Sequence, residues 1–368
     1  MSSINDLKSL LAETHHQEYV CFAGNGTLAI SELLRVLDFQ KRFVAVPLSV
    51  CLNVPLAVLL SGNIPLYIDV EPESMGMDPA LLEELPEPPA AVIAVHAYGN
   101  LCRMKDISNY CSARGVFLIE DFCVAQGAGS PEGRAGSWGD ASVVSFGAGK
   151  IVSIGNGGAV LSSDRKLIEA LELRLSSLPA FSEANERGLS ELSRWHTRIY
   201  NEHYRNALEK IVPEMLDRIR QSNAFFQYSF LSDWVEPLTR RLRELPALVA
   251  HRRRCWSRFE DILGKEEPGL GFRIHRPPPG FVPWRFNIFL DQGRDDLLRW
   301  LLMQKEKVSS WFPAVDRFLN VVVAEKPPRI SDRIGDSILN LWVNEEIDEE
   351  YLVRMGDAIL SFCRRSER

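Results

Sequence analysis

The chain has 368 residues, 46% hydrophobic and 25% charged, with a formal net charge of −7. That length exceeds one ordinary core and suits two domains, while the mild acidity excludes a general attraction for nucleic acid or anionic membrane. No apolar run approaches the roughly 20 residues of a membrane span, and the polar, acid-containing start is unlike a secretory signal, so a cytoplasmic address is expected.

Taken in order, short apolar runs at 19–22, 43–46, 65–68, 91–95, 116–119, 142–145 and 159–161 read as strands. Helical spacing lies between several of them, at 27–37, 54–60, 79–84 and 104–113. Alternation of near-continuous apolar strands with helices predicts an α/β domain built on a mostly parallel sheet covered on both faces. From 164 to 265 the texture becomes rich in Leu, Arg and Glu with helical spacing, punctuated by aromatic residues at 195, 200, 204, 225, 226, 228, 230 and 234. The run Arg276-Pro277-Pro278-Pro279-Gly280 predicts a turn or edge. Strand-like 285–290, a helix at 294–304, strand-like 308–312 and 338–343, and a final helix at 348–364 then predict a smaller C-terminal α/β domain. The expected division is 1–244 and 245–368.

The seven cysteines (21, 51, 102, 111, 123, 255 and 363) are scattered and contain no CxxC. Reduced, mostly buried thiols are expected. The seven histidines show no HxxxH or HExxH spacing, His196 and His203 included, so no metal site is expected.

Two stretches carry chemistry. GVFLIEDFCVAQGA puts Asp121 at the end of a buried strand, and ASVVSFGAGKIVSIGNGG puts Ser145 at the end of another, with Lys150 in the Gly-rich loop after it. Ligands of parallel sheets sit beyond the carboxyl ends of the strands, so both side chains are expected in one crevice. An acid and a lysine converging there could hold a pyridoxal phosphate ring. Alternation turns the adjacent Glu120 to the opposite face. Gly26 and Thr27 open a helix after the first strand, where backbone N–H groups form a natural phosphate cradle.

The chain resembles the DegT/DnrJ/EryC1/StrS aminotransferases, fold-type-I pyridoxal phosphate enzymes of the aspartate-aminotransferase-like group. The resemblance runs through GNGTLAI (24–30), GNIPLYIDVEPESMGMDP (62–79), AVHAYGN (94–100), FLIEDFCVAQGA (117–128), GSWGDASVVSFGAGK (136–150) and GNGGAVLSS (155–163), and resumes weakly at 251–263 and 336–352. It implies Lys150 as the Schiff-base lysine and proton shuttle, Asp121 as partner of the pyridine nitrogen, and Gly26, Thr27 and Ser145 around the phosphate. Several positions depart from the family. Val124 stands where a glutamine is usual and Gln126 where a histidine is usual. Cys51 or a neighbour replaces a stacking aromatic ring, and Gly147 replaces a bulkier residue. These three groups, Cys51, Val124 and Gln126, are therefore expected beside the cofactor. The usual Asn-Tyr-Arg segment from a neighbouring subunit is not found; Tyr228-Ser229-Phe230 or Ser222-Asn223 falls in that region.

The resemblance implies an aminotransferase that takes nitrogen from an amino acid, glutamate being expected, and gives it to a small-molecule keto acceptor, expected to be a nucleotide-linked keto sugar. It also implies a homodimer, with 195–234 as a candidate interface. Two alternatives stand beside it: a dehydratase or epimerase using the same cofactor, and a catalytically lapsed homologue acting as a partner subunit. Retention of lysine, where dehydrating relatives place histidine, favours amino transfer.

Overall fold

The computed structural model describes residues 3–201, 207–221, 223–319, 322–324 and 328–366. Tyr204, His203 and Ser222, noted above, lie outside them. The chain opens with α1 (Ile4–His15), whose first turn is closed by a reciprocal pair of bonds between Ser3 and Asp6. Then β1 (Tyr19–Ala23), α2 (Gly26–Val36), β2 (Phe43–Pro47), α3 (Asn53–Leu60), β3 (Ile64–Ile68), α4 (Pro79–Glu83), β4 (Ala91–Val95), α5 (Met104–Arg114) and β5 (Phe117–Asp121) alternate. A small hairpin, β6 (Gly129–Ser130) and β7 (Gly133–Arg134), precedes β8 (Ala141–Ser145) and β9 (Gly158–Ser162). Helices follow: α6 (Arg165–Ser176), α7 (Glu183–Asn201), α8 (Ala207–Gln221), α9 (Val235–Arg243) and α10 (Leu245–Leu263). The remainder is β10 (Phe272–Ile274), β11 (Arg285–Leu290), α11 (Arg294–Met303), β12 (Val308–Ser309), β13 (Val322–Val323), α12 (Ile330–Ser337), β14 (Ile338–Trp342) and α13 (Glu349–Ser366).

The large sheet runs β1-β9-β8-β5-β4-β2-β3-β13. Its neighbours are parallel except at β9, which is antiparallel to both β1 and β8. Strands β1, β8 and β5 therefore point the same way, and their carboxyl ends share one edge of the sheet. All five residues of β4 are buried, as two covered faces require.

The second sheet, β10-β11-β14-β12, is antiparallel. One of its faces, with Phe286, Ile288, Leu339 and Leu341, packs on Phe259, Leu297 and Met355 in a separate core. From the other face, Phe289 and Ile338 join the core of the large sheet, together with Trp284 and Phe312 from the flanking loops. Helix α10 begins at Leu245, the first residue after the division expected above. The C-terminal part is not confined to its own sheet, because Val322 and Val323 return to pair with Leu66 and Tyr67. This short strand covers an edge that would otherwise stand open. The strand-like run at 308–312 keeps ladder pairing only at Val308–Ser309. Beyond it the Trp311 N–H donates to the Asn340 side chain.

Four of the aromatic residues offered as an interface lie inside the chain, while Phe230 and Trp234 are half-buried. Trp195, Phe225 and Phe226 belong to the main core, and Tyr228 is fully buried. Their hydrophobic area is already removed from water without a second copy. Among the described residues, no helix is long and apolar enough to cross a membrane, and no group of three or more His, Cys, Asp or Glu could hold a metal ion.

Candidate active site

A cavity of about 240 Å³ opens at the shared carboxyl edge of β1, β5 and β8, and its walls include Gly26, Thr27, Cys51, Asp121, Ser145 and Lys150. Each arrives for a local reason. Asn25 caps α2, its side-chain oxygen accepting from the Leu28 N–H at 2.8 Å. Gly26 and Thr27 follow in the first turn, where N–H groups have no carbonyl partner within the helix. Only glycine fits at 26, since a Cβ there would lie 2.9 Å from the Ser145 Cβ. That close approach sets the start of α2 beside the end of β8.

Asp121 is the last residue of β5 and is 5% exposed. Its Oδ1 accepts from the Cys123 N–H at 3.0 Å. Lys150 is half-buried in a loop where Gly149 holds a φ of +78°. The Lys150 N–H turns back to the Gly147 carbonyl at 3.3 Å, and the Ser153 hydroxyl donates to the same carbonyl at 3.0 Å. Outside that loop, the Gly149 carbonyl accepts from the Trp284 indole at 2.7 Å.

Two expected neighbours of the ring lie elsewhere. Val124 is packed in the main core, and Gln126 is 1% exposed with its carbonyl oxygen accepting from the Val152 N–H at 2.7 Å. Neither lines the cavity. Strand alternation stops after Asp121, where a turn closes from the Ala125 N–H to the Phe122 carbonyl at 3.0 Å. Cys123, two residues on from Asp121, faces the cavity in their place. Burial first, and then the Asp121 carboxylate, push its thiol well above the usual range, with Lys150 pulling the other way. It is thus a neutral group within the field of both charges.

Of the other walls, Asn156 stands in the GNGGAVLSS run, whereas Leu189, Leu192 and Phe226 had no motif to announce them. Asn53 and Val54 come from α3, and Leu189 and Leu192 from α7. Asn156, Phe226 and Tyr228 also line the cavity. The Asn25 side-chain amide donates to the Phe226 carbonyl at 2.9 Å, so the end of the cavity beside α2 is braced by a segment 201 residues downstream in the same chain. The one available signal was the aromatic density of 225–230, which does not distinguish a cavity wall from ordinary core.

The donor set suits pyridoxal phosphate. First-turn N–H groups and the hydroxyls of Thr27 and Ser145 match a phosphate, a carboxylate matches a pyridinium nitrogen, and an amine matches an aldehyde.

Solved structures share this architecture across nearly the whole chain. An aminotransferase from Brucella abortus superimposes with a TM-score of 0.75 over 98% of this chain and 90% of its own, at 19% identity. The fold is that of the fold-type-I pyridoxal phosphate aminotransferases. The chain belongs to the DegT/DnrJ/EryC1/StrS aminotransferase family, whose sequence profile matches residues 2–193. Aminotransferases of this family depend on pyridoxal phosphate. A GDP-perosamine synthase of Escherichia coli O157:H7 is 29% identical over 168 residues, covering 45% of this chain and 46% of its own length. A GDP-perosamine synthase of Vibrio cholerae is 26% identical over 307 residues, 81% of this chain and 73% of that protein. Several curated relatives are matched over about half of their length.

Proposed function

We propose that this protein is a pyridoxal phosphate-dependent aminotransferase that moves an amino group from an amino acid, glutamate being the expected donor, to a nucleotide-linked keto sugar. The observation that supports the reading is the meeting of Lys150, Asp121, Thr27 and Ser145 at one cavity. Relatives named for nucleotide-sugar amination support the acceptor class. The cofactor, once bound, supplies an electron sink for the bonding pair released at the substrate carbon.

In this reading the Lys150 amine would hold the cofactor's aldehyde end and would move a proton at the substrate carbon. Asp121 keeps the ring nitrogen protonated, which a carboxylate shielded from water does effectively. Gly26, Thr27 and Ser145 bind the phosphate end. Cys123 and Cys51, both cavity walls, give the ring a less polar setting than an amide side chain would. A cytoplasmic homodimer belongs to the same proposal. The dehydratase alternative is disfavoured by the lysine at 150.

The test is a half-reaction. Protein loaded with pyridoxal phosphate and reduced with borohydride should carry the label on the peptide containing Lys150. Glutamate should then convert unreduced holoenzyme to its amine form, and nucleotide-linked keto sugars should restore it. Failure of glutamate and other amino acids to effect the conversion overturns amino transfer. Light scattering should give twice the chain mass of 41.6 kDa; a single chain mass rejects the dimer.

A further inference from the structure

Lys150 sits in a segment with glycines at 147, 149, 155 and 157, three of them at positive φ. Glycine leaves such a backbone many conformations, and the bonds from Lys150 and Ser153 to Gly147 are internal to the loop. They fix its shape but not its position relative to Asp121. Outside anchors are needed: the Gln126 side chain holds the far end of the loop at the Val152 N–H, and Trp284 holds the end that enters the lysine. Its indole N–H donates at 2.7 Å to the Gly149 carbonyl, the oxygen of the peptide bond that enters Lys150.

Trp284 is itself held rigidly. It is 4% exposed, and its ring lies parallel to Phe312, with 5° between planes and 5.9 Å between centroids. Its backbone N–H donates to the Tyr98 carbonyl at 3.0 Å, and the Val282 N–H donates to the Gly99 carbonyl at 3.0 Å. The two backbones run so close that a Cβ at Gly99 would stand 1.8 Å from the Val282 oxygen. The Tyr98 hydroxyl accepts from the Phe312 N–H at 2.6 Å. The segment that receives Trp284 begins at His96, whose N–H donates to the Asp121 carbonyl at 3.0 Å. A short path of hydrogen bonds thus runs from the backbone of Asp121, through 96–98 and Trp284, to the peptide before Lys150.

We propose that Trp284 is a positioning residue that sets Lys150 against Asp121, so that the C-terminal domain controls the registry of the two groups expected to grip one ring. The inference rests on the reading of Lys150 as the Schiff-base lysine. Its geometric core, an outside strut on a glycine-rich loop, is independent of that reading.

The test compares wild type with Trp284→Phe, which keeps an aromatic ring and removes the donor, and with Trp256→Phe as a control in the C-terminal core. In cofactor-free protein, amides of 147–153 should exchange hydrogen about tenfold faster in Trp284→Phe, the scale of one lost hydrogen bond. In loaded protein, Schiff-base formation should slow by about tenfold or more, since small misplacements of a reacting group are costly. The titration midpoint of its absorbance band should also move by about half a pH unit, with cofactor affinity much less changed. If Trp284→Phe does not fold, 3-benzothienylalanine at 284 deletes the same N–H within an equal volume. Unchanged exchange and unchanged titration overturn the proposal. Faster exchange with an unaltered band also overturns it, because the bond is then merely structural. If wild type forms no Schiff base at Lys150, the functional reading falls, and exchange alone then decides whether the strut exists.

Discussion

Glu120 and Asp121 are consecutive residues of β5, and the surroundings of their carboxylates are opposite in kind. Glu120 is fully buried, and its oxygens accept from the N–H groups of Gly136 and Trp138 at 2.7 Å each, from Gly139 at 3.3 Å, from the Ser142 hydroxyl at 3.2 Å and from His96 at 2.8 Å. Burial alone would raise its pKa, but the hydrogen bond and charge of His96 and the two closest N–H groups hold it below the ordinary value. Among the described residues, the Asp121 carboxylate accepts from the Cys123 N–H and meets the Cys123 thiol, and it borders a cavity. A carboxylate whose lone pairs are saturated by protein stabilises the fold. One whose lone pairs remain open can serve a ligand. The lesson is that satisfaction, more than burial, separates a structural acid from a chemical one.

That contrast can be broken by experiment. The largest effect is expected on the cavity side: Lys150→Ala should lower turnover by about a thousandfold or more, the scale of a lost acid–base group, with circular dichroism and thermal midpoint near wild type. Normal turnover would remove the lysine from the chemistry. On the sealed side, Glu120→Ala leaves His96 and several N–H groups buried without an acceptor and should cost about 3–5 kcal/mol in denaturant unfolding. A loss below 1 kcal/mol would mean that the network relaxes freely. Asp121→Asn should reduce turnover by about a hundredfold while changing stability little. If it unfolds the protein as Glu120→Ala does, the two acids are not different in kind.

The smallest effect concerns pH. His15 packs on the Glu120 side, its ring 4.5 Å from Phe122 and its Nδ1–H donating to the Ala135 carbonyl at 2.8 Å. Burial lowers its pKa to about 4, only partly offset by the Ala135 carbonyl and Glu120. Below the unfolded value near 6.5 the unfolded chain takes a proton that the folded chain refuses, so stability is present above that pH and falls as pH drops toward 4. At pH 5 the loss from this residue is about 2 kcal/mol. His15→Leu should flatten the dependence of unfolding free energy between pH 7 and 5; an unchanged slope would assign it to other groups.

Much of the first half was legible because parallel strands buried on both faces leave unmistakable apolar runs. The reading of 91–95 matches β4 residue for residue, and those of the other large-sheet strands before 164 fall within about two residues of the observed bounds. Periodicity also separated Asp121 from Glu120, since alternation is a local property of the backbone. For the next turn the expectation came from the resemblance. Val124 and Gln126 were expected by sequence position to neighbour the ring, yet a turn redirects them and presents Cys123 instead.

What the chain by itself determined was the set of local choices: strands, helix starts, the glycine at 26, and the acid and lysine at the ends of apolar runs. Each follows from interactions within a few residues, which a linear pattern records. Only the tertiary structure decided that Phe226 and Tyr228 wall the cavity, that β13 returns to the large sheet, and that Trp284 reaches the peptide before Lys150. Those contacts join segments over a hundred residues apart. Their energy depends on which surfaces meet after folding, and no spacing along the chain encodes that.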